Sequence, residues 1–171
     1  MAREGEVLEA PYVHVIFTLP HDLGPLALQH PRQLYGLLFR TVAQTLQDIA
    51  GDPKHLGAEI GGFAVLHTWG QQLPHHPHLH GVLPAGGLAS DGSRWVPCRP
   101  HFFLPVRVLS RHLWRLSLAG LEQLYGQGPL LLTGRCRERA EPKAWQRLLS
   151  ALCDIEGGYT PKSPLRTPGT S

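Results

Sequence analysis

HLGAEIGGFAVLHTWGQQLPHHPHLHGVLPAGGL, residues 55–88, is the stretch whose reading decides the fold. Within it, GFAVLHTW (Gly62–Trp69) and HPHLHGVL (His76–Leu83) are dense in β-branched and apolar residues and read as two strands, the second despite Pro77. Successive side chains of a strand point to opposite faces, so His76, His78 and His80 share one face while Pro77 and Leu79 take the other. Neutral imidazoles at i and i+2 are able to converge on one metal ion. A hairpin-like return brings His67 of the preceding strand beside the same face as a third ligand, and Gln71 is a further candidate. A histidine-rich strand also suits a plain polar sheet face, but a fourth histidine on the neighbouring strand argues for a site.

Working outward, YVHVIFTL (Tyr12–Leu19) reads as another strand, stopped by Pro20. Pro31–Ala50 reads as a helix, with Leu34, Leu38, Val42, Leu46 and Ile49 on one face, Pro at its start and Gly51-Asp52-Pro53 at its end. A Gly-rich turn spans Pro84–Gly87, and Arg94–Val96 is a short strand after the Asp91-Gly92 turn. Leu104–Tyr125 reads as a second helix, with Val108, Leu109, Leu113, Leu116, Leu121 and Leu124 facing the core, and Pro142–Leu152 as a third. The order β-α-β-β-α-α with long crossovers predicts an α+β fold, an antiparallel sheet with helices packed mainly on one face.

A chain of 171 residues suffices for one domain with a sizeable core. With 42% hydrophobic and 17% charged residues it is neither a disordered acidic tail nor a charged coiled coil. No apolar run approaches the roughly 18 residues that cross a bilayer. The N-terminal MAREGEVLEA lacks the pattern of a secretory signal, so the expected compartment is cytoplasmic. Cys98, Cys136 and Cys153 form neither a CxxC pair nor a disulfide framework. Five of the 11 histidines fall between His67 and His80, which marks that stretch as the seat of the chemistry. The net charge of +3 is uneven: residues 1–100 sum to −2 and residues 101–171 to +5. A basic half rich in Arg points to an anionic partner such as nucleic acid.

Metallohydrolases of the HxHxDH type need an Asp after the second His, and here His80-Gly81 follows; a barrel amidohydrolase needs a longer chain. Two readings remain. HPHLHGV resembles the motif of histidine-triad nucleotide hydrolases, in which the middle histidine attacks an α-phosphate without a metal. His78-Leu79-His80 fits the HUH endonuclease pair, two histidines flanking an apolar residue on a central strand.

The flanking blocks separate them. PYVHVIFTLPHDLG (residues 11–24), the 55–88 stretch, DGSRWV (residues 91–96) and FFLPVRVLS (residues 102–110) together resemble the two-tyrosine HUH transposases of rolling-circle insertion sequences, in order, over about residues 8–155. The resemblance implies an HUH-type fold and DNA transposition through single-stranded ends of an insertion sequence. His78 and His80 match the HUH pair and would hold a divalent cation, Mg²⁺ or Mn²⁺, although donor softness alone favours Zn²⁺. His67, in HTWGQ, is the first choice for third ligand, with His76 and Gln71 behind it. Thr18 and His21 match the family's first block without an evident role. Outside the resemblance, Arg107, Arg111 and Arg115 recur at helical spacing as a candidate DNA-binding stripe, and Trp69, Trp95 and Phe102 are candidate platforms for unpaired bases.

The chain also departs from that family. A cysteine-rich zinc module usually comes first, so residues 1–10 read as the remnant of a linker to it, and residues 11–155 as an incomplete HUH core. The family's nucleophile is a tyrosine, one of two about four residues apart on a helix. The tyrosines here, Tyr12, Tyr35, Tyr125 and Tyr159, include no such pair, so none inherits the role. Residues 156–171 read as a disordered tail. Codon degeneracy permits a two-base frameshift near Glu156 to have replaced a strand expected there, leaving the C-terminal part of the domain missing. The chain is thus expected to be an inactive transposase fragment, with a non-catalytic DNA-binding remnant or a histidine-triad hydrolase as alternatives.

Overall fold

Buried and partly exposed residues alternate along β1 (Tyr12–Thr18), and pairing fixes which set is buried. β1 runs antiparallel to β3 (His75–Pro84), with Ile16 opposite His80 and Thr18 opposite His78. In this computed structural model residues 10–69, 75–99, 103–128, 130–153 and 159–161 are described. Val13, Val15 and Phe17 of β1 and Pro77, Leu79 and Leu83 of β3 are buried on one face. The other face carries Tyr12, His14, Ile16 and Thr18 beside His76, His78, His80 and Val82. Gly81 sits on the buried face because a Cβ there would come within 2.8 Å of the Val15 side chain.

β2 (Phe63–Trp69) pairs antiparallel with β3, and β6 (Tyr159–Pro161) with β1, giving the order β2-β3-β1-β6. The β2–β3 register runs regularly from Phe63–Val82 to His67–His78, then shifts so that Trp69 faces His75. Such a bulge bends the strand locally and re-aims the side chains beyond it.

The helices cover the buried face. α1 (Gly24–Gln29) follows a 3₁₀ turn at His21–Leu23. α2 (Pro31–Gly51) starts with Pro at its first position and buries Leu34, Leu37, Leu38, Val42, Leu46 and Ile49. α3 (Val106–Gly126) packs on α2 through Leu109, Leu113 and Leu121. Gly120 lets the two approach, since a Cβ there would run into the Leu37 side chain. α4 (Pro142–Cys153) buries Trp145, Leu149 and Leu152. This is the α+β architecture the sequence predicts, with an antiparallel sheet and helices mainly on one face. No helix of the described residues is long and apolar enough to cross a membrane.

Several expectations need correction. The Pro84–Gly87 turn gives way at Gly86 to β4 (Gly86–Leu88), which pairs with β5 (Trp95–Pro97), one residue later than read from the sequence. Bare backbone permits this: a side chain on Gly86 would meet the Trp95 ring. Val108 is 36% exposed, and Leu116 and Leu124 are only half-buried, because α3 meets α2 along a narrow seam. The segment Gly134–Ala140, with no regular period, forms a 3₁₀ stretch. Within the tail expected to be disordered, Tyr159–Pro161 form β6 against Val15–Phe17; residues 162–171 and 1–9 lie outside the described residues.

Leu79 is fully buried behind the histidines it separates. Leu79→Ala should therefore lower stability by about 2–5 kcal/mol, the usual cost of a core cavity. A urea titration showing no loss of midpoint would contradict its placement.

Candidate metal centre

The register places the histidines. His67 on β2 stands directly opposite His78, and His80 lies two residues on along the same face of β3. Ring centroids are 5.4 Å apart for His67–His78, 4.3 Å for His67–His80 and 4.8 Å for His78–His80. One nitrogen from each lies within 4.8 Å of the others. Small rotations of the rings bring three such nitrogens to the ~2.0–2.1 Å at which imidazole binds a first-row cation. The donor set fits a metal.

Hydrogen bonds select which nitrogens face it. His78 Nδ1 lies 2.7 Å from the His76 carbonyl, so it carries the proton and donates, leaving Nε2 for coordination. His80 Nδ1 lies 2.7 Å from His14 Nε2. If His80 coordinates through Nε2, its Nδ1–H donates to His14, whose own proton then sits on Nδ1. Partners of this kind fix the tautomer and ring orientation of metal-binding histidines.

His67, His78 and His80 are thus brought together as the sequence suggests. His76 is not among them: it contributes its backbone carbonyl, and its exposed ring centroid is 5.5 Å from that of His78. Gln71 lies outside the described residues. His14 was missed, because nothing in the local pattern reveals which residue of a distant strand will lie against His80.

The surface around the triad is apolar. Phe63, Val65 and Trp69 on β2 are 63%, 49% and 60% exposed, and the regular register puts Phe63 and Val65 on the same side as His67. Trp69 is therefore open to a stacking partner. Trp95 instead lies against the Gly86 backbone, and Phe102 is outside the described residues. Arg107, Arg111 and Arg115 are exposed on α3, in the helical layer, whereas the triad faces the other side of the sheet. The stripe and the triad do not form one surface. Arg115 is instead near His112, which bonds Asp48 of α2 at 2.6 Å.

Tyr12, Tyr35 and Tyr125 lie away from the triad. The Tyr35 hydroxyl lies 3.0 Å from His75 Nε2, and burial raises its pKa. Tyr125 stacks on Trp145 and donates its hydroxyl to the Ala140 carbonyl. Tyr12 pairs with Pro84, four residues along β1 from the partner of His80, a separation of roughly 13 Å.

The Y2_Tnp family model, described as "Putative transposase", matches residues 61–153, which include the triad. The chain is 51% identical over 166 residues to "Putative transposase y4qJ" of Sinorhizobium fredii (strain NBRC 101917 / NGR234), covering 97% of this chain and 42% of that protein. It is 42% identical over 90 residues to "Transposase for insertion sequence element IS801" of Pseudomonas savastanoi pv. phaseolicola, covering 53% of this chain and 21% of that protein. The chain thus spans less than half the length of either relative. Among solved structures it is similar to the conjugative relaxase TrwC in a metal-bound complex with OriT DNA, with TM-score 0.54 and 14% identity over 90% of this chain and 69% of that one. That likeness shows the fold, an HUH-type domain. It does not favour the histidine-triad hydrolase reading, which also has no use for His67.

His14→Ala should weaken metal binding by about 10–100-fold, as loss of such an outer partner typically does, without unfolding the domain. Calorimetric titration with Mn²⁺ checks this; unchanged affinity would show that His14 does not orient His80.

Proposed function

The chain belongs to the Y2_Tnp transposase family, and on that footing we propose that it is the metal-holding core of a two-tyrosine HUH transposase acting on single-stranded DNA. The observation that carries the reading is the convergence of His67, His78 and His80 on one open sheet face. His67, His78 and His80 would hold a divalent cation, which when bound would supply Lewis acidity toward a phosphodiester. His78 and His80 take part as neutral donors, held by the His76 carbonyl and His14. No carboxylate joins the cluster among the described residues, so nothing there offsets the ion's charge toward phosphate. Phe63, Val65 and Trp69 give unpaired bases an apolar surface beside it.

Donor chemistry ranks the cations. An all-imidazole set suits Mn²⁺ better than Mg²⁺, which prefers oxygen. Of the two cations the resemblance implies, Mn²⁺ is the one we assign.

The nucleophile is not among these 171 residues. Tyr35 and Tyr125 have committed hydroxyls, and the sequence holds no pair of tyrosines at helical spacing. This stretch holds the metal half of the site only.

Purified chain should bind Mn²⁺ and a single-stranded oligonucleotide yet form no covalent adduct with it. His78→Ala should abolish Mn²⁺ binding while leaving the circular dichroism spectrum unchanged. A DNA adduct surviving denaturing electrophoresis would overturn the absence of a nucleophile. Nucleotide hydrolysis persisting in chelator would restore the histidine-triad reading.

A further inference from the structure

A second feature lies round the end of β3 from the triad. A cleft of about 490 Å³ opens between α1, the start of β3 and the 3₁₀ stretch at Gly134–Ala140, lined by His21, Pro25, Leu28, Gln29, His75 and Arg135 among others. His75 turns its ring to the helical side: Nε2 meets the Tyr35 hydroxyl, and Gly24 of α1 lies beside Nδ1. His75 Nδ1 and Gln29 Oε1 are both buried and find no hydrogen-bond partner among the described residues. Buried polar atoms are nearly always paired in native structures, so two in one cleft call for a ligand that brings its own donors and acceptors. Burial and the adjacent His76 hold the His75 pKa below its ordinary value, which keeps the ring neutral and suited to a neutral hydrogen-bonding edge.

The other walls narrow the class of ligand. Pro25 and Leu28 offer apolar surface, with Leu28 57% exposed, and Arg135 offers an exposed guanidinium, the group best shaped for phosphate. A planar polar edge, an apolar face and an anion together describe a nucleotide, and the volume lies within the range of small-molecule sites. His75 stands three residues before His78, about 10 Å along the strand. The exposed Trp69 ring lies edge-on to His75 at 6.1 Å.

We propose that this cleft is a nucleotide subsite, taking one nucleotide of the single strand that the chain binds. The base edge meets Gln29 Oε1 and His75 Nδ1, its face lies on Pro25 and Leu28, and its phosphate pairs with Arg135. The proposal rests on the reading of the chain as a single-stranded DNA-binding core.

The test uses the full chain and a short fluorescein-labelled single-stranded oligonucleotide, with anisotropy measured across a salt series. Arg135→Ala should weaken binding at least about fivefold and flatten the salt dependence by about 0.7 in the log–log slope, one phosphate contact on a single strand. Leu28→Trp should fill the cleft and weaken binding by a similar factor. Both side chains are exposed, so neither variant should lower the melting temperature, and Mn²⁺ affinity should stay at the wild-type value. Wild-type binding with unchanged affinity in both variants overturns the subsite alone. No binding of the oligonucleotide by the wild-type chain overturns the DNA reading and the subsite with it.

Discussion

The antiparallel register between β1 and β3 is the constraint on which the rest of the molecule depends. Because side chains alternate with a period of two, the pairing of Ile16 with His80 commits both strands at once. Val13, Val15, Phe17, Leu79 and Leu83 are sent to the helices, and His14, His78 and His80 to the open side. A slip of one residue along β3 would turn the imidazoles of His76, His78 and His80 inward and expose Leu79. The same hydrophobic term that closes the core therefore holds the candidate metal ligands outward, with no separate device needed to aim them.

That coupling explains what was legible in the sequence. The strand face bearing His76, His78 and His80 follows from alternation alone, and the long amphipathic helix at Pro31–Gly51 from its apolar period and its Pro. His67 was within reach because it belongs to the neighbouring strand in sequence. His14 was not, since its contact with His80 spans 66 residues and depends on which strands pair. His76 illustrates the opposite limit: alternation places its ring on the right face, but the cluster takes its carbonyl instead. The short elements escaped for another reason. β4 is three residues of Gly86-Gly87-Leu88, whose pairing is set by a distant Trp95 and Glu59, not by local preference. β6 is equally short and gains its structure from the edge of β1 and from α3.

Chemically, the two faces of the sheet divide the labour. The open face presents three neutral nitrogen donors among exposed aromatic and aliphatic side chains. The helical side carries Arg107, Arg111 and Arg115, which the layer arrangement keeps away from the triad. Charge in the sequence was therefore a poor guide to where the histidine cluster lies. In this fold the ligands are located by hydrophobic alternation, and the charges by whatever surface the helices leave.

The irregularity between β2 and β3, where β3 carries the extra residue, has a consequence for the site. Pairing from Phe63–Val82 to His67–His78 is unbroken, and the shift falls only after His67. The pairing that seats His67 opposite His78 ends before the irregularity, and the Trp69–His75 pair lies beyond it. The spacing of the three imidazoles is therefore set by the regular part of the ladder alone, and a change of side chain at Trp69 leaves His67 and His78 in register.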